Sequence, residues 1–136
     1  FNNLITSQLL KGAEKTLIDA GVNKQDIKIV DVPGALEIPY AAQSLVRSGN
    51  FDALITIGCV IRGETSHYEI VSNQTVEGIN RVSLDNRIPI TFGVLTTENV
   101  EQAIARSGGD KGNLGIEAAL AAIELAVLTK RLSPFN

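Results

Sequence analysis

The sequence predicts an α/β protein in which a parallel sheet is covered by helices on both faces. Three observations carry that prediction. Short apolar runs alternate with stretches of helical periodicity along the whole chain. One run, Ala53 to Val60, is apolar enough to be buried on both faces, as parallel strands are. No linker, low-complexity tract or internal repeat interrupts the alternation, so residues 1–136 read as one domain, long enough to bury a real core.

Each element follows from local signals. Leu10, Ala13, Leu17 and Ala20 recur at helical spacing and stop at Gly21, a residue suited to the position after a helix. Ile27 to Val32 reads as a strand closed by Pro33-Gly34. A helix follows from near Glu37 to Gly49, with Pro39 tolerated in its first turn. Ala53 to Val60 is the next strand. Ser66 to about Leu84 is a long helix whose Ser66-x-x-Glu69 fits a capping box. Ile88 to Leu95 is a third strand, where Pro89 favours the first residues or an edge. Thr97 is placed to cap a short helix bearing Glu98 and Glu101. The glycine-rich loop Arg106 to Gly115 then leads into a last helix, Ile116 to about Leu132. That helix is apolar on several faces, so it is either sandwiched in a core or packed against another subunit. The first helix has no strand before it, which points to a first strand upstream of Phe1.

Composition narrows the function. A formal charge of −3 argues against a nucleic-acid surface, which needs a Lys/Arg excess. No apolar run reaches the roughly 18 residues of a membrane span. With one cysteine and one histidine, neither an intramolecular disulfide nor a multi-cysteine metal site is available, and no metal is expected. No signal peptide is visible, and a cytoplasmic setting is the expectation.

In open α/β sheets ligands sit at the carboxyl ends of strands. Three glycine-bearing stretches qualify: Val32 to Glu37, Val60 to His67, and Phe92 to Leu95. His67, the one histidine, falls at a helix start, where the local positive charge disfavours imidazolium. It reads either as a proton carrier or as a surface residue. Thr65 and Ser66 form an anion nest or serve as caps only. Arg106 either complements a helix C-terminus or clamps a phosphate. Glu37 and Glu64 are possible acid and base, though no spacing demands it. Phe1 and Phe92 either stack on a flat heterocycle or belong to the core. Cys59 reads as a buried structural thiol, and Arg62 as solvent-facing or locally paired. No P-loop or G-x-G-x-x-G supports a nucleotide cofactor.

"PGALEIP" (Pro33 to Pro39), "GCVIRGETSHYE" (Gly58 to Glu69) and "FGVLTTEN" (Phe92 to Asn99), in this order and spacing, resemble the 6,7-dimethyl-8-ribityllumazine synthase family. The likeness extends to "FNNLITSQLLKGA" at the start and "GNLGIEAALAAIELA" at the end. It implies a flavodoxin-like three-layer αβα sandwich around a four-stranded parallel sheet. It also implies homo-oligomers, pentamers or sixty-subunit shells, with active sites between subunits. The implied reaction condenses 5-amino-6-ribitylaminouracil with 3,4-dihydroxy-2-butanone 4-phosphate, without cofactor or metal. By the resemblance Phe1 stacks on the pyrimidine, Ala35, Leu36 and Glu37 hold the ribityl chain, and Val60 and Ile61 read the pyrimidinedione edge. Glu64 and Thr65 belong to the phosphate loop, and His67 transfers protons. Phe92 is donated by the adjacent subunit, and Arg106 binds phosphate. One departure is Gly112-Asn113-Leu114-Gly115, where many members carry lysine at the third position.

Overall fold

The computed structural model of the chain describes residues 2–133. Helix α1 (Asn2–Asp19) stops as predicted: Gly21 takes a left-handed φ of 100°, and the Val22 amide donates back to the Leu17 carbonyl. A 3-10 turn (Lys24–Asp26), an extended segment and a second 3-10 turn (Ala35–Glu37) lead into α2 (Ile38–Ser48). Strand β1 (Leu54–Ile61), helix α3 (His67–Asn86) and strand β2 (Ile90–Thr97) follow. Helix α4 (Val100–Ala105) then runs into a small antiparallel hairpin, β3 (Ser107–Gly109) with β4 (Gly112–Asn113). Helix α5 (Leu114–Leu132) completes the described elements.

Strands β1 and β2 pair in parallel, in register from Leu54–Ile90 to Ile61–Thr97. Because side chains alternate across a strand, this ladder feeds two separate cores. Even-numbered Leu54, Val60, Ile90, Phe92 and Val94 join Ile38 and Ala42 of α2 and Ile79 and Val82 of α3. Odd-numbered Ile57, Cys59, Ile61 and Leu95 join Ile5 and Leu9 of α1, Ala103 of α4 and Leu114 of α5. The sheet is therefore a middle layer between two helical ones. Helices close on it where glycine removes a side chain. A Cβ at Gly115 would overlap the Leu9 carbonyl, so α5 meets the α1 backbone directly. A Cβ at Gly78 would lie 2.6 Å from Pro39 Cγ, which brings α3 down on α2.

Of the expected four-stranded sheet, which counted a strand upstream of Phe1, the described residues show a two-stranded parallel part, and residues 27–32 run without a ladder partner among them. A strand is completed by a neighbour about 4.8 Å away, and no described backbone stands at that distance. A cleft of about 1220 Å³ lies between residues 27–35 and β1, with Leu10 and Leu17 of α1, Ala41 of α2 and Ala126 of α5 among its walls. Ile29 and Val30 are 48% and 45% exposed.

Smaller corrections come from proline and from competition for caps. Pro89 has no amide for the ladder, so β2 begins at Ile90 rather than Ile88, while the Pro89 carbonyl accepts from the Leu54 amide at 2.9 Å. The strand continues past the expected Leu95 to Thr97, which removes Thr97 from the capping role. Asn99 caps α4 instead, its Oδ1 accepting from the Gln102 amide at 2.8 Å. Asn113 does the same for α5, accepting from the Ile116 amide, and its Nδ2 also donates to the Gln8 carbonyl of α1.

Candidate functional site

At the carboxyl end of β1 three segments meet: the strand end itself, the loop that opens α3, and the Ala35–Glu37 turn, which packs against both β1 and α3. Val60 and Ile61 are half-buried there. The chain then turns outward through Gly63, Glu64, Thr65 and Ser66, all exposed, and reaches His67 as the first residue of α3. A Cβ at Gly63 would meet nothing within 4 Å, so the loop faces open space. The His67 amide donates to Thr65 Oγ1 at 3.3 Å, and its imidazole is on an exposed residue. This short stretch therefore presents backbone amides of a helix start, a hydroxyl, a carboxylate and an imidazole on one open rim.

The expected capping box does not form. Ser66 makes no side-chain bond to the helix start, and its backbone (φ −71°, ψ 0°) is outside the extended region a capping residue uses. The Glu69 carboxylate is drawn instead to Arg62 Nη1, a charge-assisted bond that outcompetes a neutral amide. The same guanidinium reaches Glu98 through Nε at 2.8 Å and stacks over the Tyr68 ring, 4.4 Å from its centroid. The hydrogen bond from Arg62 holds the Glu69 carboxyl below the usual carboxylate range, and its bonds to Glu69 and Glu98 raise the Arg62 guanidinium further. Of the two sequence readings of Arg62, solvent-facing or locally paired, the structure shows the second, with Glu98, expected only in the first turn of a short helix, and Tyr68, not singled out, as partners. A basic residue leaving a strand, with carboxylates in the next helix turn and after the neighbouring strand, is the signal that could have found them.

The remaining candidates are distributed. Ala35 is half-buried and lines the cleft, whereas Leu36 and Glu37 are exposed beside it. Phe92 is in the body of β2 rather than in a loop, paired in register with Thr56 and packed toward α2 and α3. Val60 pairs with Thr96, so Phe92 lies four residues back, roughly 13 Å along the strand. Arg106 closes α4, its Nη1 donating to the Gln102 carbonyl at 3.0 Å, which is the helix-complementing arrangement. No ion pair or hydrogen bond joins it to the His67 loop among the described residues. Phe1 lies outside the described residues. Leu114 packs into the core formed with α1 and α4 and leaves no basic group at that point of the loop. Burial pushes the Cys59 thiol up, as befits a structural cysteine.

Among the described residues no group of three or more His, Cys, Asp and Glu is placed to hold a metal ion. No helix among them is long and apolar enough to cross a membrane.

A parallel sheet between helical layers, with an open glycine-bearing loop at a strand's carboxyl end, places the chain among α/β proteins, the class in which such rims carry small ligands. The family can be given by name. The model of the 6,7-dimethyl-8-ribityllumazine synthase family matches residues 1–130, and the chain belongs to that family. It is a family of transferase enzymes, and its lumazine synthase activity belongs to riboflavin biosynthesis.

Proposed function

We propose that the chain condenses 5-amino-6-ribitylaminouracil with 3,4-dihydroxy-2-butanone 4-phosphate to 6,7-dimethyl-8-ribityllumazine, releasing phosphate and water. This is the penultimate step of riboflavin formation. The observation that carries the reading is the Val60–His67 stretch of a family member, which brings strand-end backbone, an anion-attracting helix start and an imidazole into one continuous rim.

In this reading Val60 and Ile61 hold the pyrimidinedione edge through their backbone, and Ala35, Leu36 and Glu37 hold the ribityl chain. Phe1 stacks on the pyrimidine. The phosphate lies at Glu64 and Thr65, where the positive end of the α3 helix favours its charge as it leaves. His67 carries protons during imine formation and elimination. Orientation of two bound reactants contributes the rest, up to about 7–11 kcal/mol in favourable cases. Within one chain Phe92 lies four residues back along β2 and Arg106 makes no bond to this rim among the described residues, which favours their supply by a neighbouring copy in a homo-oligomer. Exposed leucines of α5 away from the cleft, Leu120 at 54% and Leu128 at 45%, support such packing.

Mixing the two substrates with the protein and following lumazine absorbance and fluorescence tests the proposal. Acceleration over the spontaneous reaction is expected. A rate equal to that background overturns it.

A further inference from the structure

Arg62 joins three elements at the rim. Its backbone amide donates to the Thr97 carbonyl at 2.8 Å, one step beyond the last pair of the ladder, so its Cα is fixed by the sheet. Its side chain then grips the first turn of α3 through Tyr68 and Glu69 and the end of β2 through Glu98. Between the two gripped ends lie only Gly63, Glu64, Thr65, Ser66 and His67. The contact therefore closes these residues into a ring, and His67 adjoins the residue that is stacked.

The contribution of this grip to overall stability is small. The side chains of Arg62, Glu69 and Glu98 are 37%, 44% and 57% exposed, and ion pairs at such positions contribute little to folding. Its geometry is nonetheless demanding: two carboxylates on different nitrogens and an aromatic face beneath. A planar guanidinium meets that demand and a lysine ammonium does not. A group of that kind at an exposed rim restrains a loop rather than a fold.

We propose that Arg62 is a positioning residue for the reaction, clasping the 63–67 loop so that His67 and the Thr65 hydroxyl face the bound phosphorylated substrate. The inference rests on the assignment of proton transfer to His67. Arg62→Gln is expected to lower kcat roughly 10- to 100-fold, the scale of a misplacement near 1 Å, with a much smaller change in KM. Its unfolding midpoint is expected to stay near that of the wild type.

The decisive comparison is made in the His67→Ala background. If Arg62 acts by aiming His67, Arg62→Gln costs there less than about twofold, because the group it aims is gone. An undiminished loss in that background overturns the proposal, as does an unchanged kcat in the single variant. Arg62→Lys, expected to fall between wild type and Arg62→Gln, provides the same comparison should the glutamine variant fail to fold. A readout without substrate separates this proposal from the proposed reaction. Arg62→Gln should shift the His67 imidazole resonances and speed amide exchange over residues 64–67. Unmoved resonances and unchanged exchange overturn the clasp even if the enzyme is active. If the wild type shows no lumazine formation, the reaction fails and the clasp is still decided by these two measurements.

Discussion

Replacing Gly78 by alanine separates two effects that pull in opposite directions. Inside a helix alanine is favoured over glycine by about 0.5–1 kcal/mol. At this position, however, the added Cβ would lie 2.6 Å from Pro39 Cγ and 2.7 Å from Pro39 Cβ. Carbon atoms pack at about 3.5–4.0 Å, so α3 must move from α2 by roughly 1 Å. Overpacking of this kind costs about 1–3 kcal/mol, and the net expectation is a loss of about 1–2 kcal/mol. In a domain of this size that lowers the thermal midpoint by roughly 3–10 °C, measurable by circular dichroism.

The displacement also reaches the rim. His67 lies eleven residues before Gly78 on the same helix (78 − 67), about 16 Å along its axis, so turnover should fall with stability. Pro39→Gly removes both opposing carbons, and in that background Gly78→Ala should cost measurably less. A Gly78→Ala protein as stable as the wild type, or an equal cost in both backgrounds, would refute the packing argument.

Other outcomes follow from the same geometry. His67→Ala should slow lumazine formation by about 10²-fold without abolishing it, at the lower end for a lost proton carrier, since the two reactants are intrinsically reactive; complete inactivity of the folded variant counts against this role. Arg62 holds the Glu69 carboxyl low, so the stabilisation from that pair is fully present above the unfolded-chain carboxylate range and is lost as pH falls through the lowered folded value. Denaturant midpoints against pH should therefore fall less steeply on the acid side for Glu69→Gln than for the wild type. Asn113→Ala should cost about 1 kcal/mol in urea unfolding, because the α5 amide loses its cap and the tie to Gln8 goes with it.

The features legible in the sequence are those decided by neighbours along the chain. The stop of α1 at Gly21, Pro39 in the first turn of α2, and the strand at β1, half-buried along most of its length rather than buried on both faces, all rest on local chemistry. Features that failed were decided by distant partners. Residues 27–32 have a strand's composition, but a ladder needs a second backbone, and none of the described residues supplies one. Ser66-x-x-Glu69 has the spacing of a capping box, but Glu69 finds a stronger partner in Arg62. The two-residue slide of β2 moved a cap from Thr97 to Asn99. At the site, the order of residues from Val60 to His67 was readable because they are consecutive. The place of Phe92 depends on strand register and that of Arg106 on where α4 ends, which no motif encodes.

The β1–β2 ladder has a dynamic consequence. The Leu54 and Arg62 amides donate to Pro89 and Thr97 carbonyls of the β2 side, so the even-numbered amides of the strand face β2. Deuterium uptake should therefore be slow at Thr56 and Gly58, whose amides lie inside that ladder. Their exchange waits on the parting of two strands that anchor both helical layers, so it reports the lifetime of the whole fold rather than the fraying of one element.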